Sequence, residues 1–138
     1  MARELPEALR REVLLRAQSR CEYCLYPETK SAFAHQIDHI VSRKHGGRTA
    51  LDNLALCCVF CNRYKGSDVA GINVSTGKPV RLFHPRLDEW CDHFCIAGAI
   101  IEPLTLEGEV TVRLLRLNEA QRVVERALLQ TAGLYPRA

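Results

Sequence analysis

Cys58-Val59-Phe60-Cys61-Asn62-Arg63-Tyr64-Lys65-Gly66 and, upstream of it, Cys21-Glu22-Tyr23-Cys24 are the two short stretches on which the reading of this chain turns. Each spaces two cysteines by two residues, so that a tight turn presents both sulfurs to one point. Four thiolates complete a tetrahedral zinc shell, with no position left for water or substrate. Cys21, Cys24, Cys58 and Cys61 therefore read as a structural zinc site. The total of seven cysteines is odd, and in a reducing compartment paired metal-ligand spacing favours metal over a disulfide framework. Cys57 competes with Cys58 for the fourth position. The tight turn favours two intervening residues, so Cys57 reads as a small core residue. Cys91 and Cys95, on either side of His93, read as buried thiols.

Between the knuckles, Ala34 to Val41 reads as a strand ending on Asp38-His39, and Leu54 to Cys57 as a second strand. Gly46-Gly47 marks a turn in the loop that joins them. Val59 to Lys65 is long enough for two helical turns, with Gly66 placed to end them. The order is strand, strand, short helix. Upstream, Leu5, Leu9, Val13 and Ala17 form one stripe, and Glu7, Arg10, Arg11 and Arg16 lie opposite. That pattern predicts an amphipathic helix from about Pro6 to Gln18, with the proline in its first turn.

Downstream, Ser75-Thr76-Gly77-Lys78-Pro79 marks a turn between extended pieces around Asn73 and Val80 to Phe83. Phe94 to Ile101, around Gly98, fits a β-hairpin edge. Glu109 to Leu117 fits both periods and is read as helix. Asn118 with Gln121 resembles a capping box for a last helix over about Glu119 to Thr131, its face built from Val123/Val124, Ala127/Leu128 and Thr131. The fold class expected is α+β. A strand-strand-helix core is stapled by zinc, with an N-terminal helix, a small β-hairpin and C-terminal helices.

At 138 residues and 47% apolar, the chain can bury one core, and a single domain is expected over 1–138, with its motif core at 21–66 and an extension over about 80–132. No apolar run approaches the ~18 residues of a membrane span, and the start lacks the apolar region of a secretory signal. A soluble, cytoplasmic protein without a membrane partner is expected. The segment from Asp38 to Gly66 carries Arg43, Lys44, Arg48, Arg63 and Lys65 against Asp38 and Asp52, which accounts for the whole formal charge of +3. Positive charge gathered around one motif suits a polyanionic backbone, although a solvated loop reads the same way.

The motif itself is more specific than the charge. Asp38-His39 closes the first strand, Asn53 follows His39 by fourteen residues and Asn62 follows it by twenty-three. The order Cys21-x-x-Cys24, Asp38-His39-Ile40, Gly46-Gly47, Asn53-Leu54, Cys58-x-x-Cys61-Asn62-x-x-Lys65-Gly66 resembles the HNH endonuclease family, in its zinc-bearing ββα-metal variety. Leu82-Phe83-His84-Pro85-Arg86 through Trp90 and His93-Phe94, and then Thr111 to Asn118, are similar to the tail of small stand-alone bacterial members.

The resemblance implies a catalytic set of His39, Asp38, Asn53 and Asn62, and chemistry gives each a task. A histidine with an unperturbed pKa of about 6.5 suits the general base that activates water. A hard cation, Mg²⁺ or another divalent metal such as Mn²⁺, takes oxygen ligands, here the Asp38 carboxylate and the Asn62 amide oxygen. Asn53 matches the family's supporting asparagine, whose amide bridges backbone groups across the loop. Lys65, on the helix face of Asn62, is expected to meet phosphate oxygens, with Arg63 and Lys44 as further contacts. One difficulty is geometric. Adjacent strand residues point to opposite faces, so Asp38 and His39 can serve one site only where the strand bends or ends. His35, four residues before His39, reads either as a buttress of the site or as a simple strand histidine.

The function expected is a divalent-metal-dependent DNA endonuclease. In the family the ββα element enters the minor groove and leaves 5′-phosphate and 3′-hydroxyl ends. Two other readings stay open, a non-catalytic zinc module that binds nucleic acid or a protein, and a nuclease acting on RNA or structured DNA. One site cuts one strand, so a double-strand break needs a homodimer or two successive nicks.

Overall fold

The structure, a computed structural model, describes residues 5–136. Helix α1 (Glu7–Ala17) buries Val13 against Leu54 and Leu56, flanked by Leu9, Leu14 and Ala17. Pro6 stands just ahead of the helix as its N-cap, and Gln18 turns the chain out at φ 54°. Strand β1 (Gln36–His39) pairs antiparallel with β2 (Leu54–Cys57), with Gln36 opposite Cys57 and His39 opposite Leu54. Helix α2 (Val59–Lys65) follows directly and ends at Gly66. These are the strand, strand and short helix of the motif. β1 is shorter than the span from Ala34 to Val41, because each end is diverted by a side chain. The His35 N–H donates to the Glu28 carboxylate at 2.9 Å, and Val41 is held by the Asn53 amide.

Two more hairpins follow, β3 (Ala70–Ile72) with β4 (Pro79–Arg81), and β5 (Phe94–Ala97) with β6 (Ile100–Pro103). A one-turn helix, α3 (Trp90–His93), leads into β5, and α4 (Leu106–Leu114) and α5 (Ala120–Thr131) complete the chain. α4 begins earlier than Glu109 because the Thr105 hydroxyl caps it, accepting from Gly108 N at 3.0 Å. Asn118 does not cap α5. Its amide exchanges two hydrogen bonds with Ile101 at 2.9 and 2.8 Å, where it satisfies the exposed edge of β6.

The face of α5 departs most from the sequence pattern. Arg122 and Arg126 are buried, while Val124 and Leu128 are exposed. The arginines turn inward because acceptors await them there, whereas the valine and leucine have no surface to cover. A continuous core joins the two cysteine knuckles to Leu82, Phe83, Phe94, Ile101 and Val110. The C-terminal extension thus packs on the zinc motif. No helix among the described residues is long and apolar enough to cross a membrane.

Candidate active site and metal centre

The two knuckles converge. The four sulfurs of Cys21, Cys24, Cys58 and Cys61 all lie within 4.8 Å of one another, and all four residues are buried. Cys24 Sγ and Cys58 Sγ are 3.7 Å apart, close to the roughly 3.8 Å separating thiolates held at ~2.3 Å from a tetrahedral zinc. Within each knuckle a backbone N–H points at the first sulfur, Cys24 N at Cys21 Sγ (3.5 Å) and Cys61 N at Cys58 Sγ (3.4 Å). Donors so placed stabilise negative sulfur. Four soft ligands in a closed shell fit zinc, and the ion would staple the fold rather than meet substrate.

Cys57 is fully buried outside this cluster, and burial pushes its thiol above the ordinary value, as suits an inert packing residue. Cys91 does not fit the expectation of a buried thiol. It is exposed on α3, with Cys95 half-buried, and among the described residues no second cysteine–histidine cluster forms there.

The interface of β1 with α2 brings together the oxygen-bearing residues. Gln36 and Asp38 share one face of β1, as alternation requires, and Asn62 and Lys65 share the facing side of α2. They meet in two rungs. Asn62 Nδ2 donates to Gln36 Oε1, which directs the amide nitrogen to Gln36 and leaves the amide oxygen as the free donor atom. Lys65 Nζ lies 3.1 Å from Asp38 Oδ2, with side chains only 2% and 5% exposed. The Tyr23 hydroxyl also donates to Asp38 Oδ2, at 3.0 Å.

Both contacts fall on Oδ2, and Oδ1 takes part in neither. These contacts leave Asp38 Oδ1 and the Asn62 amide oxygen as hard oxygen donors of the kind that could hold a divalent cation. Burial raises the Asp38 carboxyl above its ordinary value, and Lys65 opposes that rise. Tyr23 is pushed well above the usual phenol range by burial and then by the Asp38 charge, so it remains a neutral donor.

His39 is the last residue of β1 and takes the other face, half-exposed rather than sealed among apolar neighbours. Its Nε2 lies 2.9 Å from Thr49 Oγ1. Burial lowers the imidazole below its ordinary value, against the pull of Asp38 and assisted by Arg43 and Lys65. A neutral ring at pH 7 is the form that accepts a proton.

The loop carrying Thr49 is fixed by Asn53. Its Oδ1 accepts from Val41 N, and its Nδ2 donates to the carbonyls of Val41 and Arg48, each at 2.9 Å. Ile40 N donates to the Asn53 carbonyl, also at 2.9 Å. Gly47 lies so tightly in this loop that a Cβ would stand 1.7 Å from the Val41 carbonyl oxygen and 2.8 Å from Asn53 Nδ2. Asn53 thus acts on His39 at one remove, through the loop that supplies Thr49.

The expected nucleic-acid contacts divide. Lys44 is exposed on the loop beside Arg43, His45 and Arg48, and Arg63 is exposed on α2, its guanidinium 5.7 Å from the Phe60 ring centroid. Lys65 faces inward. Besides Asp38 it donates to the Ile40 carbonyl at 3.0 Å and approaches that of His39 at 3.5 Å, so its ammonium is turned inward, away from solvent. His35 is buried, with Nε2 2.8 Å from the Tyr26 carbonyl, and braces the loop after the first knuckle rather than β1.

Gln36, Tyr23 and Thr49 contact the candidate residues Asn62, Asp38 and His39 without a motif in the sequence that marks them. Gln36 was available, two residues before Asp38 on the same strand face. Tyr23, inside a zinc knuckle, carried no such signal.

Residues 21–68 match the family model described as HNH endonuclease. No curated protein and no solved structure matches the chain. The matched span runs from the first knuckle through β1, β2 and α2 to just beyond Gly66, and it contains every residue of the β1/α2 interface as well as His39 and Asn53. Residues 21–68 are thus similar to the HNH endonuclease domain, and the four-cysteine cluster fits its zinc-bearing variety.

Proposed function

We propose that this protein is a divalent-metal-dependent endonuclease that hydrolyses phosphodiester bonds in DNA, with His39 as general base. The observation that carries the proposal is the position of His39. It closes β1 half-exposed, its imidazole held neutral, between the buried Asp38 carboxylate and a loop that exposes Arg43, Lys44 and Arg48.

His39 accepts a proton from water as the water oxygen bonds to phosphorus and the bond to the 3′ oxygen breaks. A second water molecule gives a proton to the departing oxygen, which leaves 5′-phosphate and 3′-hydroxyl ends. Asp38 and Asn62 would hold a divalent cation, Mg²⁺ or Mn²⁺, whose charge would offset the negative charge that builds on the phosphoryl group. Gln36 orients Asn62, Asn53 and Thr49 orient His39, and Lys44, Arg63 and the loop arginines hold the backbone. Four thiolates reserved for zinc agree with a reducing compartment, and we place the protein in the cytoplasm on that ground.

Relaxation of supercoiled plasmid in Mg²⁺, Mn²⁺ or EDTA tests the proposal. The wild type is expected to nick DNA only with metal, and His39→Ala to lose the activity; equal cleavage by both proteins would refute the mechanism. RNA and branched DNA in parallel reactions identify the preferred substrate.

The Lys65–Asp38 pair favours a second reading, a nucleic-acid-binding zinc module in which the lysine ammonium takes the place of the divalent ion. That reading expects a gel shift with no cleavage in any metal.

A further inference from the structure

We propose that Arg122 is the counter-charge of the zinc–thiolate cluster, so that zinc retention and the docking of α5 are one coupled event. Its Nη2 lies 3.0 Å from Cys61 Sγ and 3.7 Å from Cys58 Sγ. Nη1 donates to the carbonyls of Leu115 and Arg116 at 2.8 and 3.2 Å, just past the end of α4. The residue is 5% exposed, and among the described residues no carboxylate pairs with it.

A guanidinium cannot shed its charge, and burying one without an anion is strongly unfavourable. The helix-end carbonyls supply only partial negative charge. The missing anion is the cluster itself, because four thiolates around Zn²⁺ carry a net charge of about −2, whereas four protonated thiols carry none. The guanidinium also stands 5.9 Å from the ring centroid of Phe60, the residue before Cys61. Arg122 is therefore built into the second knuckle from outside residues 21–68.

The first knuckle is reached as well, where the Tyr135 hydroxyl donates to the Cys24 carbonyl at 2.7 Å. The exposure of Val124 and Leu128 follows from the same demand, since α5 is oriented by what its arginines must reach. Zinc loss would leave Arg122 without an anion and release α5. Loss of Arg122 would leave the cluster with its full negative charge and weaken its hold on zinc.

Zinc release to a chromogenic chelator tests the first link. Arg122→Met is expected to hold zinc about 10–100-fold less tightly, the range seen when a partner of a metal ligand is removed. Arg122→Lys, which keeps the charge but not the fork, should fall between that variant and the wild type. Arg126→Met is the control. Arg126 lies one turn along the same face, but bonds to Ala99 O and Asn118 Oδ1 at 2.9 Å each and to no sulfur, so zinc affinity should stay within about twofold of wild type.

The second link needs no variant. Amide exchange in wild-type α5, followed while zinc is withdrawn, should lose protection in step with metal release. The coupling is overturned if Arg122→Met holds zinc as the wild type does, or if α5 stays protected after the zinc has left. Should Arg122→Met fail to fold, the wild-type exchange experiment decides alone.

Discussion

Replacing Lys65 by methionine keeps most of the side-chain volume and deletes the charge that pairs with Asp38. The two charged groups stand 3.1 Å apart with 2% and 5% exposure. At the effective dielectric that describes most protein sites, such a pair attracts by roughly 5 kcal/mol. Removing one partner of a buried pair typically costs about 3–5 kcal/mol, because the other charge is left uncompensated. Loss of the bond to the Ile40 carbonyl adds to this. Urea unfolding at constant free zinc should therefore show Lys65→Met destabilised by about 3–5 kcal/mol. Lys65→Met combined with Asp38→Asn should recover part of that loss, since no charge is then left buried.

The pH dependence has a definite sign. Burial raises the Asp38 carboxyl and Lys65 opposes the rise, so in Lys65→Met it rises further. A carboxyl raised above its unfolded value binds its proton more tightly in the native state. The native state then gains as pH falls, and the gap to wild type narrows from neutrality down towards the ordinary carboxylate range. A loss below about 1 kcal/mol, the scale of a surface lysine, together with weaker DNA binding, would refute the inward placement and return Lys65 to the phosphate backbone.

For His39, plasmid cleavage by the wild type should show an acid limb with an apparent pKa below the ordinary histidine value, because burial lowers that group; a limb above about 6.5 would contradict it. His39→Ala should reduce the rate by about 10²–10⁴-fold while zinc content and melting temperature hold. Asn53→Ala strands three partly buried backbone groups, those of Val41 N, Val41 O and Arg48 O, and should cost about 1–3 kcal/mol. Amide exchange should show the change confined to the loop around 41–49, with zinc still bound. Cys58→Ser should release zinc and collapse the thermal transition, whereas Cys57→Ser should keep the metal; zinc content by mass spectrometry separates the two.

What the sequence made legible is what local spacing determines. The bounds of β2 and α2 follow from the second knuckle and from Gly66, since two sulfurs three residues apart admit few backbone paths. The convergence of Cys21 and Cys24 with Cys58 and Cys61, and the exclusion of Cys57, follow from the same constraint. Side-chain direction was less accessible. Lys65 shares a helix face with Asn62, as its spacing requires, but only the packing of α2 on β1 turns that face inward, and the long aliphatic stem lets the ammonium reach Asp38. Asn118 carried a capping signal that the edge of β6 outbid. The pattern of Val123/Val124 and Ala127/Leu128 assumed that apolar residues define the inner face of α5, and an anionic metal cluster inverts that rule.

The zinc site and the candidate active site are connected by two short stretches of chain that both end on Asp38. Tyr23, which donates to Oδ2, lies between Cys21 and Cys24. Lys65, which pairs with the same oxygen, lies four residues after Cys61, with Asn62 directly after that cysteine. The first stretch is also tied to β2, since Glu22 N donates to the Leu56 carbonyl and Leu56 N to the Glu22 carboxylate, both at 2.8 Å. A metal that joins the knuckles therefore fixes the distance between the tyrosine hydroxyl and the lysine ammonium, and with it the position of the carboxylate they both grip. Loss of the metal would remove that constraint, and Lys65 and Asn62 would be released together with α2. A zinc bound by the four cysteines would thus set the position of the Asp38 carboxylate relative to Asn62, the two groups proposed to hold a divalent cation.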